Sequence, residues 1–340
     1  MKAFLRYVFL LFITLFALSL YIPKRYTVSY PKSLGPDFDK KIRMTYIKNL
    51  EEDHAEIVLL GDSTLGDAVD ADLLEQGLEK ETLSISLPGT AATLWYLITK
   101  NNIIVSEHKP DYLVLFVRDS MLTVPHYRTT GTYFDLIDEF ANNKDTVLLN
   151  KAYINRMSVG EQLAEKYFPV FGSRWRIRET IDFYIRYPLP EITIGCDKDC
   201  MIASMQEVFN EADINDKHLN EALFVADSIL YKREFLDFEG TVEESFLPEI
   251  IRLCEENDIQ LIIVRLETVR FPTEGVEPPD LQKYFLLLEE YLEENDVIYL
   301  NLSRNPSLRA EHFVDDLHMN DKGKAVFTPI LIEALKGVFK

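Results

Sequence analysis

Two short blocks near opposite ends of the 340-residue chain hold residue types that could carry out nucleophilic catalysis. The first is Gly61-Asp62-Ser63-Thr64, a serine on a turn that follows an apolar run. The second is Asp315-Asp316-Leu317-His318-Met319-Asn320, in which an aspartate precedes a histidine by three residues. A carboxylate at that spacing can fold back to hold one imidazole nitrogen, leaving the other free to take a proton from a serine hydroxyl. Nucleophile, base and orienter are recognised by those roles, whatever their order along the chain. Two further positions belong to the same chemistry. Pro88-Gly89-Thr90 presents a backbone N–H that a glycine leaves open to approach. Arg118, within Phe116-Val117-Arg118-Asp119, carries a guanidinium fork that can donate to an oxyanion, bind an anionic group or pair with a carboxylate such as Asp119. Read alone, Ser63 could equally cap the helix that follows it, and Asp62 and Asp316 read as solvated or turn-forming.

Residues so distant in sequence need a frame that brings them together. Residues 56–61, 111–117, 259–265 and 297–301 are short runs rich in Ile, Val and Leu, each bounded by charge or turn chemistry, and a weaker run, 83–87, fills the gap between the first two. Such runs predict strands buried on both faces of a parallel sheet. Stretches over 91–107, 246–257, 280–295 and 321–339 predict helices between and after them. Strand alternating with helix gives an open α/β sheet with right-handed crossovers. In such sheets the ligand lies at the carboxyl ends of the strands. Ser63, Gly89 and Arg118 directly follow the first three predicted strands, and the 315–320 block follows the last one after a polar loop.

Composition narrows the function class. With 36 basic and 56 acidic side chains the net charge is −20, which argues against nucleic acid as a partner because phosphate neutralisation needs a basic face. Apolar residues make up 47% of the chain, which excludes a disordered or fibrous protein. Of three cysteines, Cys254 falls on an apolar helix face, while Cys196 and Cys200 either form a small-loop disulfide or remain thiols. With no CxxC pair and no phosphate-binding glycine loop, the sequence implies no metal, nucleotide or other cofactor.

Residues 1–25 are a separate element: Lys2 and Arg6 precede an apolar run from Tyr7 to Ile22, closed by Pro23, Lys24 and Arg25. This predicts a retained single-pass anchor or a cleaved signal segment. Both readings place the rest of the chain outside the cytoplasm, as a membrane-held or secreted protein. Residues 26–50 read as a linker and first helix, and 51–340 as the principal domain. Residues 125–245 exceed the connection a compact α/β unit needs, and are rich in Tyr, Phe, Trp and Arg. They read as an inserted, ordered helical cap, whose Arg–aromatic interleaving suits a helix with an aromatic core face, a sugar-stacking surface or a membrane surface.

With those blocks in place, the sequence resembles the SGNH (GDSL-like) hydrolase superfamily. Residues 59–63 (LLGDS) match its first block, Gly89 falls at the second-block glycine, and Asp315 to His318 followed by Asn320 and Gly323 match its last block. Together the matched regions, 51–125 and 246–340, cover about half of the chain. The resemblance implies a three-layer α/β/α, flavodoxin-like fold with a mostly parallel five-stranded sheet, into which the 125–245 cap is inserted. It implies Ser63 as nucleophile, His318 as base and Asp315 as orienter, with the N–H groups of Ser63 and Gly89 forming the oxyanion hole. The third block departs from the pattern, because Arg118 stands where the superfamily usually has an asparagine donor, and at that place Arg118 is the third member of the expected oxyanion hole. The resemblance therefore implies a serine O-acyltransferase or esterase of the cell envelope. Its acceptor would be a polysaccharide or another envelope polymer, its donor partner a polytopic membrane acyltransferase. A carbohydrate or lipid esterase, or a non-catalytic envelope binding protein that keeps the fold, are the alternatives.

Overall fold

Five apolar runs form the central sheet of the protein, seen in a computed structural model that describes residues 2–38, 41–211, 224–225, 227–270 and 277–339. The strands are Ile57–Gly61 (β1), Thr82–Ser86 (β2), Tyr112–Val117 (β3), Gln260–Arg265 (β4) and Ile298–Asn301 (β5). They lie in the order β2-β1-β3-β4-β5, and every adjacent pair is parallel. The expected mostly parallel sheet is thus parallel throughout, with each strand within a residue of its predicted bounds. Register is fixed at its centre by pairs such as Leu60↔Ile85, Leu60↔Leu115 and Leu115↔Ile263.

Alternation along each strand divides the core. Ile57, Leu59, Val114, Phe116, Ile262 and Val264 point to one face, where they meet Leu65, Leu74, Phe327 and Leu331. Those partners come from helices α3 (Ser63–Ala68) and α4 (Ala71–Leu78), which follow α1 (Lys2–Tyr26) and α2 (Thr45–Asp53) along the chain, and from the closing helix Asp321–Lys336. The intervening residues Val58, Leu60, Leu113, Leu115, Leu261 and Ile263 are equally buried on the opposite face. That face belongs with α5 (Ala92–Ile98) and the Leu247–Glu255 helix, which pack on each other. Each fully buried Leu, Ile or Phe contributes roughly 1.5–3 kcal/mol, so this two-sided core is what holds the strand ends in place.

The predicted 91–107 helix is α-helical only over α5 and then widens into a π turn, Thr99–Ile103. Thr99 Oγ donates to the Trp95 carbonyl at 2.8 Å, beside the Thr99 N–H that the same carbonyl accepts.

The chain separates into two compact units, residues 1–36 with 153–215 and residues 37–152 with 216–340. The stretch from 125 to 245 is therefore shared between them. In the first unit, helix α1 (Lys2–Tyr26) runs through Pro23, and its Phe4–Tyr26 span has mean hydropathy 2.1. At 23 residues it is long and apolar enough to cross a membrane. Its end is fastened to the Arg174–Arg186 helix: Tyr26 Oη donates to Thr180 Oγ at 2.8 Å, and Tyr30 Oη bonds Ser173 Oγ at 2.9 Å. Cys196 and Cys200 are joined as a disulfide, and Cys254 is a buried thiol.

Candidate active site

In the order β2-β1-β3-β4-β5 the winding of the chain reverses between β1 and β3, and open α/β sheets bind ligands at such a point. The residue after β1 is Asp62, and Ser63 is the first residue of α3. Asp62 caps that helix: its Oδ1 accepts from the Thr64 N–H at 2.9 Å. The cap takes the second helical amide and leaves the first, that of Ser63, without an acceptor among the described residues. Gly89 follows β2 in a turn tied to the end of β1. The N–H of Leu87 donates to the Gly61 carbonyl at 3.1 Å, and Ser86 Oγ to the Asp62 carbonyl at 2.9 Å. Gly89 has φ +73°, and a Cβ there would lie 2.5 Å from Tyr133 Cε1. A side chain would thus meet both backbone strain and an occupied volume.

The other half of the site is a hairpin ahead of the closing helix. Phe313 and Met319 form an antiparallel bridge, with the Val314 N–H donating to the His318 carbonyl at 2.8 Å. Asn320 caps the helix through Lys322 and Gly323 N–H at 3.0 and 3.1 Å. Gly323 is required by close approach, since a Cβ would lie 2.3 Å from the His312 carbonyl oxygen. Inside the loop, Asp315 Oδ1 accepts from the N–H groups of Leu317 and His318, both at 2.8 Å. Its Oδ2 is 2.7 Å from His318 Nδ1. His318 Nε2 is 2.8 Å from Ser63 Oγ, so residues 255 apart in sequence meet.

The acceptor at Nδ1 is a carboxylate, which selects the imidazole tautomer with its proton there and leaves Nε2 to accept the Ser63 hydroxyl proton. The hydrogen bond to Asp315 holds the His318 pKa above its usual value of 6.5, against a smaller opposing effect of burial. Burial works to raise Asp315, but the His318 hydrogen bond and the two backbone N–H groups outweigh it and hold that carboxyl below the usual aspartate value. The His318 side chain is 22% exposed and Asp315 is 6% exposed, so the base reaches solvent while its orienter is covered.

Arg118 lies elsewhere in its chemistry. Its guanidinium is 2% exposed and surrounded by carboxylates: Nη1 is 2.6 Å from Asp119 Oδ2 and 3.0 Å from Asp227 Oδ2, and Nη2 is 3.7 Å from Asp62 Oδ2. Of the roles open to it from sequence, carboxylate pairing is the one its surroundings fill. Asp227 gathers two more cations, Arg270 Nη1 at 2.9 Å and Arg128 Nη2 at 3.1 Å, and accepts from Tyr127 Oη. Burial opposes ionisation of Asp227, yet Arg118, Tyr127 and the other two arginines bring its pKa down to about 2. Among the described residues, Arg118 touches the nucleophile's surroundings through Asp62, the cap of α3. Asp62 is accordingly buried rather than solvated.

Sequence reasoning did not find Asp227, Arg128 or Arg270, because no local spacing links them to Arg118. Nor did it mark Glu267, just past β4, where burial pushes the carboxyl up to about 7 while it accepts from the Asn305 N–H at 2.9 Å. Its only sequence signal is an acid directly after a buried strand.

No family model and no curated protein matches the chain. Among solved structures it is similar to a GDSL-like lipase from Bacteroides thetaiotaomicron, at 11% identity and a TM-score of 0.37, over 86% of this chain and 98% of that one.

Proposed function

We propose that this chain is a serine acyl-ester enzyme in which Ser63, His318 and Asp315 act as nucleophile, base and orienter. The observation that carries the reading is the continuous relay from Ser63 Oγ to His318 Nε2 (2.8 Å) and from His318 Nδ1 to Asp315 Oδ2 (2.7 Å). Ser63 Oγ attacks the acyl carbonyl as His318 Nε2 takes its proton. The resulting imidazolium is stabilised by Asp315, which stays ionised. The N–H groups of Ser63 and Gly89 donate to the tetrahedral oxyanion, and Arg118 positions Asp62 rather than the oxyanion. Collapse breaks the ester C–O bond, and His318 returns the proton to the departing alcohol. A second hydroxyl, deprotonated by His318, then attacks the acyl-enzyme and releases Ser63.

The finer reading is transfer of an acetyl or similar group to a cell-envelope polysaccharide, outside a membrane that α1 crosses. An apolar helix joined to a domain with this relay supports it, together with the likeness of the sequence blocks to anchored envelope enzymes. Hydrolysis is the second reading, favoured by the exposure of His318, which gives water access to the base. The test feeds p-nitrophenyl acetate to the full chain and to Ser63→Ala, with and without a panel of oligosaccharides. Nitrophenol release that requires Ser63, with acetyl appearing on a sugar, supports transfer. Release that requires Ser63 without acetylated sugar supports hydrolysis. Equal rates for both proteins overturn the catalytic reading and favour a binding module.

A further inference from the structure

The first unit carries an apolar surface that the proposed catalysis does not use. The Arg174–Arg186 helix is here α6, and the next helix, Pro188–Ile194, is α7; the two pack on each other. From residue 181 onward α6 is exposed around its whole circumference, and its side chains there are mostly apolar. Ile181, Phe183, Ile185, Leu189, Ile192 and Ile194 are all more than half exposed, Ile192 to 82%. Scattered single apolar residues are normal on a surface, but two successive helices exposing them continuously mark a face that something apolar covers.

The fold says where that face lies. The first half of α6 is hydrogen-bonded to the last residue of α1, through Tyr26 Oη to Thr180 Oγ at 2.8 Å and to the Arg176 carbonyl at 3.3 Å. Ile22, one turn earlier, is 3% exposed, whereas Phe4 to Tyr21 are largely bare. The packed end of α1 is therefore also the end of its apolar span, the level at which such a helix leaves a bilayer. Cations collect at this level: Lys24 and Arg25 in the last turn of α1, and Arg176 and Arg178 in the first turns of α6, where Arg174 is paired with the buried Glu165. They do so in a chain whose net charge is −20. Trp175, Tyr184 and Tyr187 stand among them. Basic residues with Trp and Tyr at the end of an apolar span, followed by exposed Ile, Leu and Phe, match the chemistry of the headgroup region and the acyl chains beneath it.

We propose that α6 and α7 form a membrane-interface element, lying in the leaflet from which α1 emerges with their apolar side chains in the acyl region and their arginines among the phosphates. α1 then spans the bilayer and α6–α7 rest in its surface, so that the first unit holds the membrane by two elements rather than one. This rests on α1 as a membrane span and is independent of the chemistry at Ser63.

The test is fluorescence quenching by lipid. The chain has two tryptophans, and Trp175→Phe leaves Trp95, which is 1% exposed, as a buried reference. Ile192→Trp and Phe183→Trp are added singly to that background, and Phe12→Trp reports on α1 itself. Each full-length protein is reconstituted into phosphatidylcholine–phosphatidylglycerol vesicles with ordinary or brominated acyl chains. All three added tryptophans are expected to lose most of their emission in brominated lipid, while the Trp175→Phe background keeps its own. Quenching at Phe12→Trp without quenching at both Ile192→Trp and Phe183→Trp overturns the proposal and leaves the span standing. In that case acrylamide separates the rival occupants: quenching by it shows a face open to water, and protection shows a face covered by a second copy or another protein. Absence of quenching at Phe12→Trp shows that α1 is not in the bilayer, and the proposal falls with the span.

Discussion

Asp315 and Asp227 are both aspartates held below the usual carboxylate range, and each owes this to basic or donor partners at the carboxyl end of the same sheet. They differ in what those partners have left to give. Asp227 is fully buried among Arg118, Arg128, Arg270 and Tyr127, and the nearby Asp62 and Asp119 complete a group of three cations and three anions. Its charge is matched inside the group, by cations that are themselves buried or nearly so. Asp315 faces one histidine, whose second nitrogen sits on a serine hydroxyl and whose edge reaches water. A charge matched by fixed cations holds structure, whereas one matched through an imidazole whose other nitrogen sits on a serine hydroxyl leaves a proton free to move. The same residue types thus make a strut and a relay, and Asp62 belongs to both as the cap of α3 and a partner of Arg118.

The comparison breaks most visibly at Ser63. Ser63→Ala is expected to lower p-nitrophenyl acetate turnover by about 10⁴–10⁶-fold, since loss of a nucleophile removes the whole relay. Its thermal midpoint should stay close to wild type, because the hydroxyl has no packing role. Asp315→Asn should cost about 10⁴-fold in kcat by favouring the wrong imidazole tautomer, with Leu317 and His318 N–H still able to donate to the amide oxygen. A wild-type rate for Asp315→Asn would remove the orienter from the relay.

Asp227→Ala should act on the other quantity. It leaves two buried guanidinium groups and the part-buried Arg128 short of an anion and is expected to cost about 3–5 kcal/mol in urea-midpoint stability. Pairing it with Arg270→Met should recover part of that loss, because the excess buried charge is then reduced. A large rate loss for Asp227→Ala at full stability would contradict the division between strut and relay. Gly89→Ala is smaller, about 1–3 kcal/mol from the φ of +73° alone, and is to be read as a fall in kcat/KM beside a modest change in midpoint.

The gentlest probe is pH. Deprotonated His318 is the base, so kcat/KM should rise with pH through a midpoint above 6.5, and Asp315→Asn should move that midpoint down. Stability goes the other way. A histidine whose folded pKa is raised contributes stability that is complete below its unfolded value and fades as pH climbs through the folded one. Asp315 contributes in the opposite sense, with stability present above the unfolded aspartate value and lost as pH falls through its depressed folded one. A midpoint that stays put in Asp315→Asn would show that another group sets the profile.

The parallel sheet was legible because buried strands must be apolar on both faces, and runs such as Ile57–Leu60 and Leu261–Val264 have no other use. Gly89 and Gly323 were legible for a related reason: each sits where backbone conformation or close approach admits no side chain, and the sequence records that directly. The Asp315–His318 contact is local, three residues apart, and so its spacing carried it. The surroundings of Arg118 were not legible. Asp227 lies 109 positions on and Arg270 lies 152, and a long-range ion pair imposes no periodicity that could announce it. The sharing of residues 125–245 between two units was hidden too, since Tyr127 on Asp227 and Tyr26 on Thr180 use the same residue type in different places.

The sequence by itself therefore determined the strands, the turns at their ends and the two blocks that hold Ser63, Asp315 and His318, because each depends on neighbours within a few residues. Only the tertiary structure decided that Ser63 and His318 meet at 2.8 Å, that Arg118 faces carboxylates, and that the end of α1 is bonded to α6. Contacts of that kind depend on how the chain closes on itself, and burial, which sets the cost of each unpaired charge, exists only after it has closed.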